Sequence, residues 1–144
     1  MDLTAEIQIA ADPADIAAVM FDPARTPEWM SAVTRVEILD RALAPGARVR
    51  MIGAVLSREL TWTTEVATVH FPHLLTLRMA DGPVVGMTRF DVQRSGPGSR
   101  VRIRYAGELG PALAAVPDAL VTGPLHAMLT ADLDRLKQLV QGQA

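Results

Sequence analysis

Polar and apolar residues alternate with two different periods along this chain, and the changes of period predict where helices and strands lie. Glu6–Ile9 alternates with a period of two, which predicts a half-buried first strand. Asp12-Pro13 and Asp22-Pro23 then each place a helix-capping residue before a proline. Because proline is well suited to the first position of a helix, these pairs predict two short helical segments, of which the second ends near Trp29 and Met30.

From Val33 to Glu108 the period is two almost throughout, which predicts a run of strands. Residues that favour turns interrupt this pattern at intervals typical of hairpins. The turns are Ala44-Pro45-Gly46, Leu56-Ser57, Pro72-His73, Asp81-Gly82-Pro83 and Ser95–Ser99. Because short turns join antiparallel neighbours, we expect an antiparallel sheet of about six to seven strands, counting the first strand.

The C-terminal part of the chain has a helical period. Apolar residues recur there at steps of three and four positions, which predicts one long amphipathic helix. The stripe consists of Val121, Leu125, Leu129, Leu133, Leu136 and Val140. Asp134, Lys137 and Gln138 fall on the opposite face of this helix, as expected if the stripe packs against a sheet.

Helix-breaking residues precede the strongest part of this stripe. Gly110-Pro111, Pro117 and Gly123-Pro124 all come before Leu125, and a proline inside a helix costs about 3 kcal/mol. We therefore expect the stable helix to begin near Leu125 and residues 111–123 to be looser or kinked. In this interpretation the segment is a lid through which a ligand enters, and its apolar residues cap one end of a cavity. These residues are Leu113, Val116 and Leu120.

Composition narrows the classes of protein to which the chain can belong. A length of 144 residues with 49% hydrophobic and 21% charged residues is typical of one globular domain, which we place over residues 1–144. The net charge of -2 gives no reason to expect nucleic acid or an anionic membrane surface as partner. The absence of cysteine excludes disulfides and a cysteine nucleophile. Because the chain has neither a membrane-spanning apolar run nor a signal-peptide pattern, we expect a cytoplasmic protein.

The alternation also assigns residues to the two faces of the predicted sheet. One face collects charged residues, which we expect to pair across strands in solvent. They are Arg50, Glu59, Glu65, Arg78, Arg89, Asp91, Arg102 and Arg104. The other face is almost wholly apolar, and its polar groups are few: the hydroxyls of Thr64, Thr88 and Tyr105 and the indole of Trp62. Two small residues on this inner face, Gly53 and Gly107, predict either a void or a sharply curved strand.

The order of these elements resembles the START-like (SRPBCC) superfamily, in particular its bacterial polyketide cyclase/dehydrase and lipid-transport branch. The segments that carry the resemblance are Ile7–Ile16, Asp22-Pro23 leading to Pro27–Met30, Trp62–Val66 and Asp132–Lys137. The resemblance covers about Glu6 to Val140. It implies an α+β helix-grip fold, in which a curved antiparallel sheet wraps around a long C-terminal helix and encloses an apolar cavity.

An apolar wall with sparse polar groups suits a small hydrophobic molecule, and this is our first hypothesis for function. The ligand would be a lipid, an isoprenoid or a polyketide-like aromatic, and the residues alone do not choose among them. We expect no cofactor, no metal and no nucleic acid, and either a monomer or a weak homodimer. The residues predicted to contact the ligand are Met51, Trp62, Thr64, Leu77, Met79, Thr88, Phe90, Ile103, Tyr105, Leu120, Pro124 and Met128.

Two other interpretations stay open at this point. A polyketide cyclase, aromatase or dehydratase would use the same cavity, with Tyr105 as acid or hydrogen-bond donor and His126 as base. The third interpretation is a partner-binding protein whose cavity is vestigial. The three histidines have no partners at metal-ligand spacing, and no hydrolase or phosphate-binding motif occurs. Asp132 lies close to the apolar stripe, partly shielded, and is interpreted as a carboxylate of the helix surface.

Overall fold

Seven antiparallel strands form one curved sheet around a long C-terminal helix in the computed structural model, which describes residues 1–142. The strand order across the sheet is β1-β7-β6-β5-β4-β3-β2. Adjacent strands are therefore consecutive in the chain, with the exception of β1 and β7. The strands are β1 Asp2–Ile9, β2 Val33–Ile38, β3 Arg48–Val55, β4 Arg58–His70, β5 Leu74–Met79, β6 Val84–Ser95 and β7 Gly98–Leu109. The helices are α1 Pro13–Met20, a 3-10 turn Pro23–Arg25, α2 Thr26–Trp29 and α3 Asp118–Gly142. The predicted α+β helix-grip fold is confirmed.

The first strand and the last helix both begin earlier than predicted. β1 starts at Asp2 rather than Glu6, because it pairs with β7 along its whole length, from Asp2 opposite Ala106 to Ile9 opposite Ser99. Leu3 and Ala5 face the core in this part of the strand. Tertiary pairing therefore extends a strand whose sequence pattern is weak at its start.

The expected start of the stable helix near Leu125 is wrong, because α3 begins at Asp118 and continues through Pro124. Pro124 and Leu120 both lie on the exposed face of the helix. Water can therefore bond the carbonyl that Pro124 leaves without a donor, while Val121 and Leu125 remain buried and hold this turn against the sheet. The predicted irregular backbone is present only from Pro111 to Pro117.

The charged face of the sheet carries the cross-strand ion pairs expected from the alternation. Most of these pairs join a residue to one on the neighbouring strand, and their side chains are about half exposed. They are Arg50 with Glu37 at 2.9 Å, Arg78 with Glu65 at 2.9 Å, Arg102 with Glu6 at 2.9 Å and Arg104 with Asp2 at 2.6 Å. Asp91 instead binds Arg89, two residues earlier on β6. Exposed pairs of this kind stabilise a fold by only about 0.2–1 kcal/mol each.

Glycines allow backbone segments of the sheet to approach each other closely. Gly86 and Gly107 lie opposite each other in β6 and β7 with φ of +152° and +158°. A Cβ atom at Gly107 would lie 2.1 Å from the carbonyl oxygen of Val85. At Gly53 a Cβ atom would lie 1.7 Å from the carbonyl oxygen of Ala32, where the β2–β3 register shifts. Neighbouring backbone therefore fills the space beside Gly53 and Gly107, so neither glycine opens a void.

Candidate functional site

Two adjoining apolar cavities lie between the sheet and the helices. The inner cavity has a volume of about 50 Å³ and is bounded by β3–β7, the segment after α2 and the face of α3 that carries Leu125 and Met128. The outer cavity has a volume of about 60 Å³ and lies between Phe21, the 40–43 loop and strands β3–β6. Five residues line both cavities, so one wall is continuous from one cavity to the other. They are Met30, Met51, Thr64, Leu77 and Phe90.

The structure brings nine of the twelve residues predicted to contact a ligand to the wall of the inner cavity. These nine are Met51, Trp62, Thr64, Leu77, Met79, Thr88, Phe90, Tyr105 and Met128. Ile103 is fully buried but lines neither cavity, because it packs within the core. Leu120 and Pro124 lie on the exposed side of α3, and the side chain of Leu120 is 66% exposed.

The predicted lid segment contributes no residue to either cavity wall. Leu113 is fully buried and anchors this segment to the core, whereas Pro111, Ala114, Ala115 and Pro117 are exposed. The outer cavity approaches the surface at a different place, beneath residues 40–43. Arg41 and Leu43 line the outer cavity at this place and are exposed. Pro23 and Thr26 also line this cavity.

The two threonines of the inner cavity wall form only long contacts within the protein. The Thr64 hydroxyl donates to the carbonyl oxygen of Val49 over 3.4 Å, and the Thr88 hydroxyl lies 3.8 Å from the Met79 sulfur. Neither contact holds its hydroxyl firmly. Both hydroxyls can therefore form a hydrogen bond to a ligand instead, with little loss of hydrogen-bonding free energy within the protein.

Tyr105 is the ionisable side chain on the wall of the inner cavity. Burial raises the pKa of its phenol far above the ordinary value of 10.0, and the nearby charge of Asp132 raises it further. The phenol therefore stays protonated near neutral pH and acts as a hydrogen-bond donor or acceptor, not as a base.

Asp132 is completely buried, so its interpretation as a carboxylate of the helix surface is wrong. Its Oδ1 atom accepts a hydrogen bond from the backbone N–H of Ser31 at 3.1 Å and another from the guanidinium of Arg135. Its Oδ2 atom has no hydrogen-bond partner within residues 1–142. Burial raises the pKa of this carboxyl, although the backbone N–H and the hydroxyl of Ser31 and the guanidinium of Arg135 all act in the opposite direction. The sequence feature that indicates this burial is spacing, because Asp132 follows the buried Leu129 by three residues and so lies on the same face of the helix.

His126 lies away from both cavities. Its side chain is on an exposed part of α3, and its Nε2 atom is 3.1 Å from the carbonyl oxygen of Thr4 in β1. The residue therefore joins the helix to an edge strand and is not positioned to take a proton from a molecule in the inner cavity. Within the part of the chain that the structure describes, no group of three His, Asp or Glu side chains is placed to hold a metal ion.

Comparison with known protein families assigns the chain to a family with the same architecture. The family model described as polyketide cyclase/dehydrase and lipid transport matches residues 1–141. The chain belongs to this family. As a member of the polyketide cyclase/dehydrase and lipid transport family, it has the START-like architecture that its sequence resembles. No curated protein matches the sequence significantly.

Solved structures show the same fold over essentially the whole chain. A START superfamily protein from Mycobacterium smegmatis aligns with a TM-score of 0.84 and 16% identity, covering 99% of each chain. A protein from Thermus thermophilus aligns with a TM-score of 0.83 and 18% identity, covering 100% of this chain and 99% of the other. The Aha1 dimer from Colwellia psychrerythraea aligns with a TM-score of 0.70 and 12% identity, covering 97% and 96% of the two chains. Among the helices of residues 1–142, none is long and apolar enough to cross a bilayer.

Proposed function

We propose that this member of the polyketide cyclase/dehydrase and lipid transport family binds a small hydrophobic ligand in the inner and outer cavities. The observation that carries the proposal is the apolar wall shared by the two cavities. Protein interiors are normally close-packed, so empty space enclosed by such a wall favours a ligand site. The polar groups on this wall are few and form weak internal contacts, as is typical of a site that orients an apolar ligand by a small number of hydrogen bonds.

The size of the cavities limits the ligand that fits without rearrangement. An apolar protein cavity of about 150 Å³ binds benzene. Cavities of about 60 and 50 Å³ together are smaller than this, so one aromatic ring requires a modest outward movement of their walls. Met30, Met51 and Met128 supply flexible side chains at the walls, which helps such a movement. The proposed ligand is therefore a molecule of about one ring, and a lipid or polycycle requires the 40–43 loop to open.

Binding is better supported than the cyclase, aromatase or dehydratase alternative. Such a reaction needs a base in contact with the substrate. Tyr105 lines the inner cavity but holds its proton, and His126 lies outside both cavities. The two residues that the sequence suggested as catalytic are therefore not placed together around one substrate.

The proposal is tested by filling the shared wall. Leu77→Phe adds volume where the two cavities meet, whereas Leu60→Phe adds the same side chain at a partly buried residue that lines neither of them. Toluene is expected to raise the melting temperature of the wild-type protein and of Leu60→Phe, because a ligand that binds only the native state stabilises it. It is expected to have little effect on Leu77→Phe. Equal stabilisation of both variants, or none of the wild type, would contradict the proposal.

A further inference from the structure

The outer cavity carries charged side chains only where it approaches the surface, at residues 40–43. Asp40 and Arg41 line the cavity there, and the other residues of its wall are apolar or carry a hydroxyl group. Of residues 1–142, no charged side chain lines the inner cavity. A ligand that fills these cavities therefore meets charge at one end only, which we call the opening.

The negative charge at the opening is already balanced within the protein. The Oδ2 atom of Asp40 accepts hydrogen bonds from the backbone N–H of Arg48 at 2.9 Å and from the Nε atom of Arg48 at 3.2 Å. Arg25 and Glu28, on either side of the cavity residue Thr26 in the chain, form their own ion pair at 2.9 Å. Neither pair leaves a net charge at the opening.

Arg41 supplies the charge that remains at the opening. It takes part in no ion pair among residues 1–142, and it is exposed. Leu43, two residues later, lines the same cavity and is 38% exposed. The opening therefore presents a cation beside an apolar surface, which complements a molecule that has an anionic group at one end of an apolar body.

This charge discriminates between classes of ligand. A carboxylate matches the guanidinium of Arg41, which can present two N–H groups to two oxygens at once. An amine would bring a second positive charge to the opening and be repelled. A hydrocarbon or an uncharged amide gains no ion pair from Arg41. Because burying a charge is costly, the carboxylate stays at the opening while the apolar body enters the cavity.

We propose that Arg41 makes the outer cavity a site for small aromatic carboxylates, with the ring inside the cavity and the carboxylate bound to the guanidinium at the opening. This inference rests on the proposed function, since it assigns the class of ligand that the cavities hold. The apolar wall binds the ring, and Arg41 sets the preference among molecules that carry such a ring.

The experiment compares 3-phenylpropionate, 3-phenylpropionamide and 3-phenylpropylamine, which share one ring and a short alkyl chain, by NMR titration. At low salt the wild-type protein is expected to bind the carboxylate about fivefold more tightly than the amide, the upper end of what an exposed ion pair provides. The amine is expected to bind more weakly than the amide. Since salt screens exposed charges, the preference for the carboxylate should shrink at about 0.5 M NaCl.

Three variants locate the source of the preference. Arg41→Gln should bring the carboxylate and the amide to similar affinity. Arg58→Gln is the matched control, because it removes the same charge from an exposed arginine that lines neither cavity, and it should retain the preference. Both arginines are exposed, so both variants are expected to fold. Leu77→Phe fills the wall shared by the two cavities and should weaken the binding of both ligands.

The outcomes separate this inference from the proposed function. Equal affinity of the wild type for the carboxylate and the amide, or a preference unchanged in Arg41→Gln, would overturn the assignment of the ligand class and leave apolar binding intact. Carboxylate binding that Leu77→Phe does not weaken would place the ligand outside the cavity and would also overturn this inference. Failure of the folded wild-type protein to bind toluene and all three compounds would overturn both.

Discussion

Replacement of Gly107 by alanine tests the origin of the curvature that encloses the cavities. The new Cβ atom would lie 2.1 Å from the carbonyl oxygen of Val85 and 2.9 Å from the Cα atom of Gly86. Both neighbours are backbone atoms, so no side-chain rotation relieves the clash. The φ of +158° is also unfavourable for a residue with a Cβ atom. Backbone strain of this kind costs about 1–3 kcal/mol and overpacking costs about 1–3 kcal/mol more.

We therefore expect Gly107→Ala to lower the free energy of unfolding by roughly 2–6 kcal/mol, a large part of the 5–15 kcal/mol typical of a domain. Urea unfolding measures the change, provided that its slope with denaturant concentration stays constant. Gly142→Ala is the matched control, because its Cβ atom meets nothing within 4 Å and the change should stay within about 0.5 kcal/mol. A loss of less than about 1 kcal/mol in Gly107→Ala would refute the argument, since the strands would then bend without the paired glycines.

Three further predictions follow from burial. Tyr105 is the only tyrosine, and folding raises its pKa, so the native protein should show no tyrosinate absorbance as the pH passes the ordinary value of 10.0. The free energy of unfolding should instead fall as the pH rises through that value. Ionisation of the tyrosine before unfolding would contradict this prediction. The folded state also holds the proton of Asp132 more tightly than the unfolded state does, because the pKa of this carboxyl is raised. The unfolding free energy of the wild type should therefore fall relative to that of Asp132→Asn as the pH rises above 3.8. A difference that stays constant with pH would exclude the raised pKa. Leu113→Ala should lower the free energy of unfolding by about 2–5 kcal/mol, whereas a change below about 1 kcal/mol would indicate that residues 110–117 are a loose lid.

Much of the fold follows from the order of polar and apolar residues. The alternation from Val49 to Tyr105 assigns residues such as Met51 and Trp62 to the face that meets α3, because successive side chains of a strand point to opposite sides. The turn at Leu56-Ser57 was predicted as well, and both residues have positive φ there. These features depend on residues close together in the chain.

The predictions for residues near α3 were less accurate for a definite reason. The sequence predicts Leu120 and Pro124 at the cavity, with the stable helix beginning after them. In the structure the helix includes both, and its rotation turns them toward solvent. The sequence interpretation places Asp132 on the helix surface, partly shielded beside the apolar stripe, yet the chain after α2 covers it through Ser31.

The sequence by itself therefore determined the class of fold and the apolar face on which a ligand site can lie, because side-chain direction repeats with a fixed period in strands and helices. The family followed from the resemblance carried by particular segments and not from this period. Tertiary structure alone decided that two small cavities remain between sheet and helix, that the outer one approaches the surface at residues 40–43, and that Asp132 is buried beneath Ser31. A cavity is the difference between the space enclosed by curved elements and the volume of the side chains that fill it. That difference depends on how α2 and α3 sit on the curved sheet, which no local pattern records.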